Sequence, residues 1–153
     1  MKYRVRNNDS LVIQENRLKQ TDVFGETLNV ILPEEGYNWS ITAESKDILG
    51  YSCLKATAKD SILDNSLQKT EISISAWFAP ELNSIAGPQG LDNLPGLVLE
   101  GSIDKKYTFY ASQINLNPSN LTQIRKPKGG RDISEKDFNE MVRKILKDIL
   151  ARG

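Results

Sequence analysis

The sequence predicts an α+β domain: an antiparallel sheet of about six to eight strands, open to curvature, with one amphipathic C-terminal helix packed on it. Three observations carry this. Short β-branched and apolar runs divided by polar turns fill residues 1–116. Between Glu71 and Phe78 the faces alternate almost without interruption, with Ile72, Ile74, Ala76 and Phe78 on one side and Glu71, Ser73, Ser75 and Trp77 on the other. Near the C-terminus the apolar period changes from that of a strand to that of a helix.

Leu11-Val12-Ile13 and Leu28-Asn29-Val30-Ile31-Leu32 have strand composition, and Pro33-Glu34-Glu35-Gly36 is a turn signal. From Trp39 the chain alternates, with Trp39, Ile41 and Ala43 on one face and Ser40, Thr42 and Glu44 on the other, which predicts a strand with one wet side. Gly50 interrupts the chain before a strand from Tyr51 to Thr57, and the polar stretch Lys59 to Thr70 is expected to separate it from the strand Glu71 to Phe78. A Gly- and Pro-rich stretch runs from Pro80 to Gly96. Strands are expected next at Leu97 to Ile103 and Tyr107 to Leu116, joined by an Asp104-Lys105-Lys106 hairpin turn.

Residues 117–131, rich in Asn, Pro, Gly, Lys and Arg and lacking an apolar period, read as a linker. Beyond it, Phe138, Met141, Val142, Ile145, Leu146, Ile149 and Leu150 draw one stripe along a helix of about residues 134–151. Ser134 can cap this helix with Asp137 answering from the third position, and Ile133 can staple onto Phe138. Glu135, Asp137 and Glu140 stand near its positive end, and Lys144, Lys147 and Arg152 near its negative end. The stripe requires an apolar partner: this chain's own sheet, or a groove on another subunit. The whole of 1–153 reads as one domain, with a sheet part at 1–116, a linker at 117–131 and a helical part at 132–151.

Composition narrows the function classes. Twenty basic and twenty acidic side chains give a net charge of zero, so no global field concentrates nucleic acid. No apolar run has the length of a transmembrane helix. Met1 is followed by the charged Lys2-Tyr3-Arg4-Val5-Arg6, with no visible secretory signal. The single cysteine, Cys53, cannot close an intrachain disulfide. The chain has no histidine, which removes Ser-His-Asp and Cys-His mechanisms and imidazole-based zinc sites. No catalytic residue, metal site or cofactor is expected, and an enzyme is the less favoured reading.

Five separated elements resemble the GLPGLI family, extracytoplasmic proteins found chiefly in bacteria of the Bacteroidota phylum. They are Trp39; Gly50-Tyr51-Ser52-Cys53-Leu54-Lys55-Ala56; Ala76-Trp77-Phe78-Ala79-Pro80-Glu81; Gly87-Pro88; and Asn93-Leu94-Pro95-Gly96-Leu97-Val98-Leu99. Asn93 stands where the naming motif has its first glycine, and Ala58 stands near where some relatives carry a second cysteine. The resemblance implies a periplasmic or otherwise extracytoplasmic protein whose signal peptide has been removed. It implies no reaction.

The candidate binding residues are Trp77, Gly87, Pro88, Leu94, Pro95 and Gly96, with the surface running along the loop from Ala86 to Gly96. Leu94-Pro95-Gly96 and Gly87-Pro88 have the chemistry of chain-shaping turns, and ligand contact is the second reading. Trp77 shares a face with polar residues, so it is either an exposed recognition side chain or one covered by the C-terminal helix. Cys53 and Lys55 point to one face, either as an activated thiol beside an ammonium or as a buried apolar cysteine. Glu81 and Asp92 are an available carboxylate pair for hydrolysis. Arg125, Lys126, Lys128 and Arg131 are a solvated linker cluster or a contact for anionic headgroups at a membrane surface.

These residues favour a non-enzymatic binding or assembly module of the bacterial envelope, with an envelope protein or an apolar ligand as partner. The alternatives are a carrier holding a lipid between curved sheet and helix, and a histidine-independent hydrolase.

Overall fold

The computed structural model describes residues 5–7, 10–12, 17–23, 25–32, 36–63, 68–84, 87–116, 119 and 128–152. Ile13, the Pro33–Glu35 part of the expected turn, Ala86, Arg125 and Lys126 lie outside the described residues. Among the described residues, ten strands, one turn of 3-10 helix at Pro88–Gly90 and the C-terminal helix divide between two compact units, the first of residues 1–35 and 119–153 and the second of residues 36–118. The antiparallel-rich sheets and the helix give the α+β class expected from sequence.

In the first unit, β1 (Val5–Asn7) and β2 (Ser10–Val12) form an antiparallel ladder. β3 (Arg17–Val23) and β4 (Glu26–Leu32) form a hairpin through Gly25, whose φ of 81° suits a residue without Cβ. On its other edge β4 pairs in parallel with β10 (Arg131–Ser134), giving the order β10-β4-β3. Sequence reading assigned Arg131 to the linker and 132–134 to the helical part. Four mostly polar residues carry no strand period, and their backbone ladder with β4 is reinforced by side-chain chemistry.

That chemistry centres on Asn29, which is only 3% exposed. Its amide donates to the Gly129 carbonyl and to Asp132 Oδ1, each at 2.9 Å, and its Oδ1 accepts from Gln20 Nε2 at 3.0 Å. Gln20, Asn29 and Asp132 are register partners, so one polar row crosses all three strands. Gly130 has a φ of 85°, and a Cβ there would lie 2.8 Å from Asn29 Oδ1. The Arg131 guanidinium bonds Glu26 at 2.6 Å and holds that carboxyl below its usual range. This pair's contribution is therefore present above the ordinary carboxylate pKa and is lost as pH falls through the depressed value.

Helix α1 (Glu135–Arg152) follows β10 directly and packs on β4 and β10, where Leu28 and Val30 are buried. Ser134 Oγ accepts from the Asp137 backbone at 3.1 Å and donates to Asp137 Oδ2 at 2.7 Å, the reciprocal cap expected from sequence. The stripe is only partly covered. Phe138, Met141, Val142, Ile145 and Leu146 are half-buried, and Ile149 and Leu150 are each 55% exposed. An 18-residue helix is about 27 Å long, and the seven-residue β4 on which it packs about 23 Å. The exposed Ile149 and Leu150 lie in the last turn of the helix.

The second unit is a five-stranded antiparallel meander in the order β5-β6-β7-β8-β9. Its strands are β5 (Ser40–Ile48), β6 (Tyr51–Leu63), β7 (Lys69–Ala79), β8 (Leu97–Ile103) and β9 (Tyr107–Tyr110). Leu49 and Gly50, with φ of 52° and 82°, make the two-residue β5–β6 turn. β6 continues to Leu63 through residues expected to be a polar connection, because its pairing with β7 persists from Leu54↔Phe78 to Leu63↔Lys69. β9 ends at Tyr110, short of the expected Leu116.

The β7 alternation holds: Ile72, Ile74, Ala76 and Phe78 are all buried on one face. The alternation expected from Trp39 fails. Between Ile41↔Ala56 and Ser45↔Leu54 β5 carries a bulge, where Thr42 Oγ1 accepts from the Glu44 N–H at 3.2 Å, and Ile41 and Ala43 are exposed.

Replacing Asn29 with Ala removes the donors that hold Gly129 and Asp132 and the acceptor for Gln20, three hydrogen bonds centred on one buried side chain. A loss of about 1–3 kcal/mol in chemical denaturation is expected. An unchanged midpoint would show that the polar row does not anchor β10.

Candidate functional site

The five-stranded sheet has two unlike faces. On the first, a floor of small residues (Ala56, Ala58, Ala76) together with Phe78 receives Leu91 and Leu94, which return from the β7–β8 loop and are almost wholly buried. Trp39 Nε1 donates to the Asp92 carbonyl at 2.9 Å and pins the loop from above, with Tyr37 edge-on to Trp39 at 5.6 Å. Gly87 lies against the Leu91 carbonyl and Gly96 against that of Ala79, and neither position has space for a Cβ.

Asn93 has a φ of 64°, left-handed backbone that glycine favours and asparagine tolerates. It supplies this conformation where the resembled motif has glycine. Of the other loop candidates, Leu94 and Gly96 are buried, Gly87 is half-buried, and Pro88 and Pro95 are exposed. The geometry of this loop is that of a plug for the sheet.

The opposite face carries Trp77, half-buried within a second apolar cluster built on Cys53, Ala79, Leu82 and Leu99. Leu99 reaches this face because β8 bulges between Trp77↔Glu100 and Phe78↔Val98, which leaves Leu99 as the extra residue. The indole is not a bare recognition surface. Lys46 Nζ stands 4.3 Å and Lys55 Nζ 5.6 Å from its centroid, both within cation–π range. Each lysine is also held by a carboxylate: Lys46 by Glu100 at 2.6 Å, and Lys55 by both oxygens of Glu44 at 2.9 Å.

Register assembles these groups into a row. Lys55 faces Trp77, Trp77 faces Glu100, and Glu100 faces Tyr110, so four adjacent strands present one line of side chains. Lys46 comes from β5, three strands from Glu100, which in a flat sheet is about 14 Å of backbone separation. It is also set two residues along from the row, at the level of Cys53. Lys46 nevertheless meets Glu100 beside the Trp77 indole, so these strands do not lie flat. The β5 bulge beside Glu44 bends that strand.

The other candidates separate. Cys53 is fully buried, its Sγ is 3.5 Å from the Tyr51 carbonyl, and burial pushes its thiol pKa up. Lys46 opposes that rise only in part. Asp92 is buried in the loop on the first face, whereas Glu81 is exposed in the turn after β7 and its charge acts on Cys53. Lys128 is exposed, and Arg131 is engaged with Glu26. Among the described residues no cluster of acidic and cysteine side chains is arranged to hold a metal ion, and no helix is long and apolar enough to cross a membrane.

Residues 1–137 match the family model described as N-glycanase peptide, N-terminal domain. The chain belongs to this family. The match takes in strands of both units and ends in the first turn of α1, so all seven residues of the apolar stripe lie beyond it. No curated protein and no solved structure matches the chain. Within the N-glycanase N-terminal domain family fold, sequence reading found Trp77 but missed Lys46, Glu44, Glu100 and Tyr110. Counting outward from the Asp104–Lys106 turn reaches the Glu100–Tyr110 pair; Lys46 has no local signal, because it meets Trp77 and Glu100 from a strand that is not their neighbour.

Two expectations follow. Leu94→Ala, which opens a cavity over the alanine floor, lowers stability by about 2–5 kcal/mol in denaturant titration. Iodoacetamide at pH 8 leaves Cys53 unmodified in the native chain and alkylates it once guanidinium unfolds the protein; rapid native alkylation would contradict a buried neutral thiol.

Proposed function

We propose that this chain is a carbohydrate-recognition module that binds N-linked glycans or the peptides that carry them and performs no covalent chemistry of its own. The observation that carries this reading is membership, over residues 1–137, of a family named for the N-terminal domain of an N-glycanase. The side chains support a binding role. There is no histidine, the one thiol is buried with a raised pKa, and of the two carboxylates Asp92 is buried and Glu81 exposed. The aromatic and charged row instead supplies hydrogen-bonding groups on a rigid surface, which suits recognition.

The apolar-carrier alternative has less support, because Leu91 and Leu94 of the chain itself fill the apolar face of the five-stranded sheet. The extracytoplasmic setting that the GLPGLI resemblance implies is part of this proposal, as is a role at the bacterial envelope, where glycoproteins of the surroundings are met.

Titration calorimetry of the full chain with an N-glycopeptide, and with the same peptide after its glycan is removed, tests the reading. Binding of the glycosylated form alone is expected. Equal binding of both peptides, or of neither, would sink it.

A further inference from the structure

We propose that the Trp77 face of the five-stranded sheet holds a subsite for a neutral pyranose ring, with Tyr110 as the stacking surface and the Lys46–Glu100 pair as the polar rim. This rests on the carbohydrate reading and gives it a location. A pyranose presents a face of C–H groups and an edge of hydroxyls, so its recognition calls for an accessible aromatic ring beside fixed donors and acceptors. Trp77 does not supply the ring, since two ammonium groups already occupy its surroundings. Tyr110 does: it is 70% exposed and lies directly across from Glu100. A tyrosine offers this area with only two torsions to immobilise.

The rim is fixed before any ligand arrives. Glu100, whose side chain is 21% exposed, uses Oε2 to hold Lys46, and the ammonium rests over the indole. The lysine has further N–H donors and the carboxylate a second oxygen, which suits sugar hydroxyls that both donate and accept. Trp77 is in this account a positioning residue.

Charge selects the class of sugar. Lys46 and Lys55 are each matched by a carboxylate, Glu100 and Glu44, so the face has no net field for an anionic residue. Tyr107 provides an internal comparison. It is also 70% exposed and lies on the same short strand, but it faces the other side, opposite Ile103 and away from the charged frame.

The test uses the full chain with desialylated and sialylated forms of one N-glycan, after circular dichroism has shown that each variant keeps the parent fold. Tyr110→Ala should weaken binding of the neutral glycan by about tenfold or more, and Tyr107→Ala by less than about twofold. Glu100→Gln releases Lys46 from its counter-charge and should shift preference several-fold toward the sialylated glycan. If the parent binds glycan and Tyr110→Ala binds equally well, or if Tyr107→Ala is the variant that fails, the subsite is wrong while the carbohydrate reading stands. If the parent binds neither glycan, both fall.

Discussion

The packing of two loop leucines onto a floor of small side chains sets the form of the second unit. Leu91 and Leu94 occupy space that exists because Ala56, Ala58 and Ala76 stop at Cβ and Gly101 has none, a Cβ there being in the way of Leu91 and Phe109. Once the loop is seated, the glycines at its two ends are determined by close backbone approach, at the carbonyls of Leu91 and Ala79. β8 then enters at a fixed register, and its bulge delivers Leu99 and Glu100 to the other side. A polar surface feature thus depends on apolar packing on the reverse of the same sheet.

That reverse side shows how electrostatics and shape reinforce each other. The Lys46–Glu100 bridge alone, partly open to water, has a small expected worth. It gains definition from the indole beneath the ammonium and from the bend in β5. The exposed Lys59–Glu71 pair lacks such support and belongs with ordinary surface pairs.

Legibility followed the range of the determining interaction. The Ser134 cap, the helix that follows it, the β7 faces and the Leu97–Ile103 strand rest on neighbours within a few residues, and sequence periodicity revealed them. The parallel β10 depends on Asn29, about a hundred positions away in the chain, and four polar residues gave no sign of it. The tryptophan strand was misread because the β5 bulge resets its faces. Of the residues around the indole, Trp77, Cys53 and Lys55 stand out in the sequence, while Lys46, Glu44, Glu100 and Tyr110 come from three further strands and meet them only through register and the β5 bulge.

The course of the chain has a consequence for biosynthesis. Residues 36–118 form a unit inserted between the halves of another, whose parts are 1–35 and 119–153. On a ribosome the meander can close as soon as its own strands emerge, whereas β4 must wait about a hundred further residues for β10. Until then its free edge is open to pairing with other nascent chains. The asparagine that secures that edge is thus made about a hundred residues before the Gly129 and Asp132 groups it holds.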